Sequence, residues 1–244
     1  MRDAQWVSPR LVRVMLEGTE LAGMTVSEPA ASVRLLLPSP SGELVMPAWN
    51  GNEFLLPDGT RPGIRTFTPR RVGPQDDGLE VDVVVHDAGL ASGWARQAAP
   101  GDVAAVSGPG RGYMVDGDAA AFLLAGDETA VPAIAQLLEL LPGSARVHVC
   151  IEIAHGDARV ALPAHPQATV EWGELADGAR PGDALVDAVV HAEPAPGTRI
   201  WVAGEAAAMQ RIRRHLFEER DVPRTDATIR GYWKHGRSGG ADPT

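Results

Sequence analysis

Residues 120–143 read AAFLLAGDETAVPAIAQLLELLPG, and two different patterns meet in this stretch. Its beginning, AAFLLAG, is apolar or small throughout and predicts a short buried strand. The apolar residues after it recur at helical spacing until Pro142 and Gly143 end the pattern. The helical positions are Ile134, Leu137, Leu138 and Leu141. A buried strand that leads directly into a helix is the repeating unit of a parallel α/β sheet.

The same alternation continues towards the C-terminus. Further apolar runs predict strands, and the stretch AAAMQRIRRHLFEER at 206–220 predicts a helix. The strand candidates are RVHVCIEIA at 146–154, ATVEW at 168–172 and RIWVAG at 199–204. Doubly wound sheets of this kind bind nucleotides in the crevice beyond the carboxyl ends of their strands. We therefore predict a doubly wound α/β nucleotide-binding domain over residues 119–244.

The N-terminal half has a different texture, with short apolar runs separated by Gly, Pro, Asp and Ser. The clearest strand candidates are VRVMLEG, SVRLLLP, LEVDVVVH and DVAAVSG. In LEVDVVVH the alternate residues Leu79, Val81, Val83 and Val85 share one face, which we expect to line an interior. This half, residues 1–118, is predicted to be an antiparallel barrel or sandwich, with the domain boundary inside DGDAA at 116–120.

Composition supports two globular domains and excludes several classes of protein. The chain has 244 residues, of which 44% are hydrophobic and 22% charged, so disorder and coiled coils are excluded. Cys150 is the single cysteine, which excludes internal disulfides, a structural zinc site built on several thiolates and an iron–sulfur cluster carried by this chain alone. Redox chemistry would therefore need a bound cofactor. The sequence has neither a membrane-spanning run nor a signal peptide, so we expect a cytoplasmic protein without stable membrane insertion.

The charge of the chain argues against nucleic acid as a partner. The formal net charge is -10, with 22 basic and 32 acidic residues. All basic residues but one are arginines, and the only lysine is Lys234. A solitary lysine near the C-terminus is either accidental or placed where a compact point charge is needed.

Two motifs in the N-terminal half could bind an anionic ligand. The first is Arg65-Thr66-Phe67-Thr68, where an arginine can grip a pyrophosphate and an aromatic ring can lie along a flat ligand. Its alternative is an ordinary strand with an exposed arginine. The second is HDAGLASGWA at 86–95, where small residues and a helix start let main-chain amides approach a phosphate. Its alternative is a glycine-rich turn sealed by Trp94.

Two loops of the C-terminal half are placed for a nucleotide by the sheet itself. Residues 126–132, GDETAVP, join the first strand to its helix, and Gly204-Glu205 repeat the arrangement after a later strand. Neither loop is the dinucleotide fingerprint GxGxxG. Asp127 or Thr129 can cap the helix whether or not a ligand binds. The remaining histidines show no metal-ligand spacing, and Cys150, in an apolar strand, is expected to be a buried and inert thiol.

The order of RTFT, HDAGLASGWA, GDVAAVSGPGRG, LLAGDETAVPAI, WVAGEAAAM and RGYWKHGRSG resembles the siderophore-interacting protein family of ferric-siderophore reductases, relatives of the ferredoxin-reductase flavoproteins. The resemblance runs from end to end. It implies a six-stranded antiparallel Greek-key β-barrel that binds FAD, followed by a domain that binds NADPH or NADH.

The resemblance also implies roles for individual residues. Those implied to bind FAD or the nicotinamide nucleotide are Arg65, Thr66, Phe67, Thr68, His86, Asp87, Gly89, Ala91, Ser92, Gly126, Asp127, Glu128, Thr129, Ala130, Gly204, Glu205 and Trp233. Phe67 stands where the family has tyrosine, Asp87 where a glycine is common and Leu90 where a proline is common. Lys234 and Arg237 are implied to bind the ferric siderophore, with a frayed and solvated tail as their alternative.

The implied activity follows from electron counting. A nicotinamide nucleotide gives two electrons as a hydride and ferric iron accepts one, so a flavin is needed to divide the pair. We predict a monomeric FAD-dependent reductase of ferric siderophores. The alternatives are a diaphorase, a donor of electrons to a protein partner, and a non-catalytic protein that binds ferric siderophores.

Overall fold

A computed structural model describes residues 1–39, 41–73, 78–86 and 89–236 of the chain. The chain forms two compact units, one covering Met1–Tyr113 and the other beginning at Met114. This division lies just ahead of the predicted boundary at 116–120. Within the described ranges, no helix is both long and apolar enough to cross a bilayer.

The first unit is built mainly from short antiparallel strands. Its elements are β1 Asp3–Ser8, β2 Leu11–Glu17, β3 Val33–Leu36, β4 Ala48–Trp49, β5 Phe54–Leu55, β6 Ile64–Phe67, β7 Pro69–Gly73, β8 Gly78–Val84, α1 Leu90–Gln97 and β9 Ala105–Ser107. The strands pair as β1-β2-β8-β7, as β6-β3-β9 and as the hairpin β4-β5. All of these pairs are antiparallel, as the sequence predicted.

The closed six-stranded barrel is not confirmed. In the described part of this unit the strand pairing falls into separate sheets, and the chain passes from one to the other between β6 and β7. Pro69 begins β7 and has no N–H to donate to a ladder, and the register of β7 on β8 shifts between Pro69 and Arg71. The antiparallel class is therefore correct, and the count and closure of a barrel stay predictions.

One apolar core joins the two larger sheets of this unit. The predicted inward face of β8 is confirmed, because Leu79, Val81, Val83 and Val85 are all buried. They pack with residues of β2 and β3 and with Trp94 of α1. Each such side chain contributes about 1.5–3 kcal/mol when it is fully buried. The core therefore holds β3, and the adjoining β6, against the sheet that contains β8.

The second unit is a parallel sheet flanked by helices. Its elements are β10 Ala121–Asp127, α2 Val131–Leu140, β11 Arg146–Ile153, β12 Ala168–Glu174, α3 Asp183–His191, β13 Arg199–Glu205, α4 Ala206–Arg214 and β14 Ala227–Trp233. The strand order is β12-β11-β10-β13-β14, and every pair is parallel. A short π-helical turn, His215–Glu219, continues α4.

Helices cover both faces of this sheet, which confirms the doubly wound prediction. On one face Ala125 of β10 belongs to a core that includes Leu185 of α3 and Met209 of α4. On the other face Gly126 lies against Ala130 and against Ile134 of α2. The chain runs from β10 outwards to β12 and then returns to β13 on the other side of β10. The topological switch point therefore lies between β10 and β13.

Candidate functional site

Arg65 of the RTFT motif lies on β6, opposite Leu35 of β3. Its guanidinium is half-buried, and its Nη1 donates to the main-chain oxygen of Ile64 at 2.8 Å. Phe67, also half-buried, packs against the apolar core, and Thr68 is buried. Thr66 is exposed and pairs across the ladder with Arg34. The motif is thus anchored by its aromatic ring, while the arginine lies at the edge of the core.

The charge of Arg65 has no counterion in the described part of the chain. Burial lowers the pKa of its guanidinium, which nevertheless stays protonated at neutral pH. Its one hydrogen bond there goes to a neutral carbonyl oxygen, which leaves most of its N–H groups available. A partly desolvated cation with free donors favours binding of an anion from outside the chain.

The start of α1 is a second place with unused donors. Gly89 precedes the helix with φ 116°, a conformation that favours glycine, and no side chain of the described residues caps the helix. The hydroxyl of Ser92 is buried and accepts from the main-chain N–H of His86 at 3.1 Å, so it does not serve as a cap. Among the residues that the structure describes, the first amides of α1 therefore have no side-chain acceptor.

These two features are adjacent in the fold. A Cβ added to Gly63 would lie 2.3 Å from Cδ2 of Leu90, so the segment that enters β6 packs directly on the first turn of α1. Gly63 is not among the predicted site residues. The sequence feature that could have indicated it is a glycine, which has no side chain, two positions before Arg65. Ala91 is half-buried, His86 is exposed, and Asp87 lies outside the described residues. The fold thus brings RTFT and the start of α1 together.

In the second unit Asp127 is the centre of a buried network at the switch point. Its Oδ1 accepts from the main-chain N–H of Thr129 at 2.9 Å and from the Thr129 hydroxyl at 2.5 Å. Its Oδ2 accepts from the main-chain N–H of Glu205 at 2.9 Å and from Nε1 of Trp233 at 2.7 Å. Burial raises the pKa of Asp127, and these hydrogen bonds oppose the rise. The network ties the carboxyl ends of β10, β13 and β14 together.

Glu205 and Glu152 repeat this use of a buried carboxylate. Oε2 of Glu205 accepts from the first-turn amides of Ala207 and Ala208, at 2.6 and 2.9 Å, and thereby caps α4. Glu152 accepts from the amides of Gly182 and Leu185, at 2.7 and 2.9 Å, at the start of α3. Burial also raises the pKa of Glu152.

Three helix starts of the second unit are thus served by carboxylates that the chain supplies itself. Asp127 accepts at the short 3-10 turn that leads into α2, and Glu152 and Glu205 accept at α3 and α4. The predicted cap of the helix lies one turn earlier than expected, because Asp127 caps the 3-10 turn and the N-cap of α2, Ala130, has no side-chain cap from the described residues. Glu152 is missing from the predicted residues, because its strand RVHVCIEI shows only a buried run.

Two glycines of the predicted nucleotide loops are set by close packing. A Cβ added to Gly126 would lie 2.4 Å from Cβ of Ala130 and 2.8 Å from the main-chain oxygen of Ala203. A Cβ added to Gly204 would lie 2.6 Å from Oδ2 of Asp127. Both glycines are therefore explained by the close approach of β10, β13 and the turn into α2.

Replacing Gly126 by Ala is expected to lower the unfolding free energy by about 3 kcal/mol, because the new methyl group meets main chain and a packed Ala130. Gly117→Ala is the matched control, since a Cβ there meets no atom within 4 Å. Urea unfolding of the full chain measures both variants. Equal stability of the two variants would show that the turn after β10 can move aside.

The other predicted residues of this unit lie around the same turn. Oε1 of Glu128 accepts from the main-chain N–H of Ala154 at 2.9 Å, and Ala130 is fully buried. Trp233 ends β14 and is 36% exposed, so its ring is reachable from solvent while its Nε1 is held by Asp127. The structure therefore brings Gly126–Ala130, Gly204, Glu205 and Trp233 to one end of the sheet.

Lys234 follows directly on Trp233 and is exposed. The main-chain N–H of the next residue, His235, donates to Oε1 of Glu205 at 3.1 Å, which fixes the course of the chain here. Lys234 forms no ion pair in the ranges that the model describes. Arg237, the other residue predicted for the siderophore, lies outside the described residues.

Comparison with known proteins places the chain in a family. The family model for the siderophore-interacting FAD-binding domain matches residues 1–113, and the family model for the siderophore-interacting protein matches residues 119–236. The chain belongs to the siderophore-interacting protein family. The predicted resemblance is thereby confirmed over nearly the whole length.

Two solved structures and one curated relative are similar to the chain over most of their length. A siderophore utilization protein from T. fusca is 36% identical with a TM-score of 0.86, over 97% of this chain and 92% of that one. The siderophore-interacting protein SipS from Aeromonas hydrophila is 30% identical with a TM-score of 0.77, over 97% and 90%. The ferric vibriobactin reductase ViuB of Vibrio cholerae is 28% identical over 96% of this chain and 88% of its own.

More distant neighbours of this siderophore-interacting protein show the fold alone. The ferredoxin reductase of carbazole 1,9a-dioxygenase is 16% identical with a TM-score of 0.66, over 95% of this chain and 68% of that one. The fold is therefore ferredoxin-reductase-like, with an antiparallel N-terminal part and a parallel α/β C-terminal part.

Proposed function

We propose that the protein is a flavin-dependent reductase that uses NADPH or NADH to reduce ferric siderophores. The observation that carries the proposal is the half-buried Arg65 guanidinium, which has no counterion among the described residues and lies in the motif next to the start of α1. A family model for an FAD-binding domain over the same unit supports this reading. The name of the relative ViuB supports a ferric siderophore as the acceptor.

The residues of the first unit fit the pyrophosphate of FAD. Arg65 offers a cation with free N–H groups, and the start of α1 offers amides that no side chain in the described part of the chain caps. Helices α3 and α4, by contrast, have their first amides occupied by Glu152 and Glu205. An anion therefore meets donors at α1 that α3 and α4 do not offer.

When bound, FAD supplies the step that accepts a hydride and passes electrons on singly. Arg65, Gly89, Ala91 and the main-chain amide of Ser92 are proposed to hold its pyrophosphate, with Phe67, Thr68 and His86 near its ring system. Thr66 and Asp87 are proposed as further residues of the FAD site. In this proposal Phe67 provides apolar contact but no hydroxyl group.

The nicotinamide nucleotide is proposed to bind at the switch point of the second unit. Gly126 and Gly204 let the carboxyl ends of β10 and β13 approach the turn into α2 closely, and the Trp233 ring at this end of the sheet is partly exposed. Asp127 and Glu205 are buried and engaged with main-chain amides, so we assign them to positioning this end of the sheet. Glu128, Thr129 and Ala130 form the turn that they support.

The activity is tested with the full chain after loading with FAD. NADPH or NADH is added in the absence of oxygen, and loss of the flavin absorbance reports flavin reduction. The reduced protein is then mixed rapidly with ferric catecholate or hydroxamate complexes, and the return of the flavin absorbance is measured. A ferrous chelator reports iron release. We expect flavin reoxidation by the ferric complexes to be faster than by ferredoxin or simple dyes. Faster reoxidation by dyes would support a diaphorase, and faster reoxidation by ferredoxin would support a donor of electrons to a protein partner. A chain that binds no FAD would support a non-catalytic protein that binds ferric siderophores.

Lys234→Ala is expected to raise the KM for an anionic ferric chelate severalfold and to flatten its dependence on salt, because an exposed cation is lost from a chain of net charge -10. Flavin reduction by the nucleotide should stay unchanged. Arg159→Ala, an exposed cation elsewhere in the same unit, is the control. Equal KM values for the two variants would mean that Lys234 is a solvated residue without a role in binding the ferric chelate.

The cytoplasmic location and the monomeric state stay predictions.

A further inference from the structure

Three potential metal ligands converge on one face of the parallel sheet. His148 and Cys150 are two residues apart on β11, and Glu171 of β12 is the register partner of Cys150. Nε2 of His148 lies 3.0 Å from Oε1 of Glu171 and 3.5 Å from Sγ of Cys150. All three donor atoms lie within 4.8 Å of one another.

Hydrogen bonds alone do not join the three side chains of this cluster equally well. If Nε2 of His148 carries a proton, it can donate to the Glu171 carboxylate, but it cannot then accept from the Cys150 thiol. If Nε2 is unprotonated, it can accept from the thiol, but its lone pair then faces a carboxylate oxygen at 3.0 Å. A proton on Nε2 therefore serves Glu171 and leaves only a weak contact to the Cys150 sulfur, whereas a cation between the three atoms could bind all of them.

We propose that His148, Cys150 and Glu171 form a binding site for a divalent transition-metal ion, Zn²⁺ in the first place. Imidazole, thiolate and carboxylate are all ligands of Zn²⁺, and three protein ligands with water in the fourth position form a common open site. The set lacks the several oxygen ligands that Ca²⁺ and Mg²⁺ require. The proposal is independent of the flavin and nucleotide sites.

Two of the three donor distances can be compared directly with those of a tetrahedral site, and the third, from Sγ of Cys150 to the Glu171 carboxylate, is at most 4.8 Å against about 3.6 Å in such a site. From the usual bond lengths, a tetrahedral Zn²⁺ sets sulfur and nitrogen about 3.6 Å apart and nitrogen and oxygen about 3.4 Å apart. The sulfur–nitrogen distance of 3.5 Å already agrees. The nitrogen–oxygen distance of 3.0 Å must widen by a few tenths of an ångström, and the Glu171 side chain, 61% exposed, is free to do this.

The environment of Cys150 determines how the ion would bind. Burial, and to a lesser extent the Glu171 carboxylate, raise the pKa of its thiol to about 12, so the thiol is protonated at neutral pH. Binding breaks the S–H bond, forms the metal–sulfur bond and releases the proton to the buffer, with no change of oxidation state. His148 and Glu171 are partly exposed and offer the ion a path from solvent, while the buried sulfur closes the inner side.

A bound ion would link β12 to the rest of the sheet. β12 is an edge strand that pairs with β11 alone among the described strands, and Glu171 is the ligand that it supplies. We therefore expect the ion to stabilise this edge, which gives the site a readout that does not depend on enzymatic activity.

The test uses the untagged full chain, freed of metal with a chelator and titrated with Co²⁺. We expect one Co²⁺ per chain and a near-ultraviolet thiolate-to-cobalt absorption band that Zn²⁺ removes. His148→Gln and Glu171→Gln should each weaken Co²⁺ binding at least about tenfold. Glu174→Gln, an exposed carboxylate on the same strand, is the control and should bind like the wild-type chain. Zn²⁺ should raise the Tm of the wild-type chain and of Glu174→Gln only.

Because His148 and Glu171 are partly exposed, their variants are expected to fold, and circular dichroism checks this. Absence of the thiolate band would overturn the proposal. So would binding that is equally strong in Glu171→Gln and Glu174→Gln, since the ion would then lie elsewhere.

Discussion

The Arg65→Ala variant is expected to bind FAD about 10- to 100-fold more weakly than the wild-type chain. A hydrogen bond to a charged group contributes about 1.5–3 kcal/mol, and the guanidinium of Arg65 has several N–H groups available for a pyrophosphate. The side chain makes no ion pair in the described ranges, so its loss should leave the fold intact. Fluorescence titration of the flavin-free chain with FAD measures the effect.

Two further variants make this result specific. Arg65→Lys keeps the charge but not the planar donor group, so it should recover only part of the affinity. Arg61→Ala is the matched control, because Arg61 is exposed, lies in the same segment and pairs with Glu53 at 2.7 Å. If Arg65→Ala and Arg61→Ala bound FAD equally well, the pyrophosphate would not lie at Arg65.

Asp127→Ala is expected to lower the unfolding free energy of the chain by about 3–5 kcal/mol. The substitution leaves three buried or partly buried N–H donors without their acceptor, on Thr129, Glu205 and Trp233. Each such donor costs about 1–3 kcal/mol, and the loss of the buried carboxylate offsets part of this. Because a chain with two compact units need not unfold in one step, calorimetry is combined with hydrogen exchange of β10, β13 and β14.

The hydrogen bond to Trp233 can be separated from the rest by a double-mutant cycle. Trp233→Phe removes the indole donor and keeps an aromatic ring, and its effect should be coupled to that of Asp127→Ala by about 1–2 kcal/mol. Asp157→Ala, which removes an exposed carboxylate of the same unit, should change stability little. Additive effects of Trp233→Phe and Asp127→Ala would mean that Trp233 is positioned by β14 alone.

Several elements escaped sequence reasoning for physical reasons. β14 contains Arg230 and Gly231, which interrupt any regular alternation, because an edge strand is only partly buried. The strand places Trp233 in the sheet, directly before Lys234. Helix α3 follows a glycine in the left-handed region and a segment rich in Gly, Pro and Asp, which reads as a loop. Its start is held by Glu152, a residue distant in sequence.

The buried positions within each element were set by local patterns. Leu79, Val81, Val83 and Val85 share a face because strands alternate, and Ile134 and Leu137 share one because helices repeat every 3–4 residues. Two other features needed the assembled sheet. The contact of Gly63 with Leu90 and the cluster of His148, Cys150 and Glu171 join residues of different elements, which spacing along one chain segment cannot reveal.

The sequence by itself determined the antiparallel and parallel halves, the family and the motifs that carry the proposed chemistry, because periodicity and short motifs are local properties. Only the tertiary structure decided which donors are free. It occupies the starts of α3 and α4 with buried carboxylates, and within the described ranges it gives α1 no side-chain cap and Arg65 no counterion. Such pairings depend on which strand ends meet in space, and burial then makes each unpaired charge costly enough to favour a ligand.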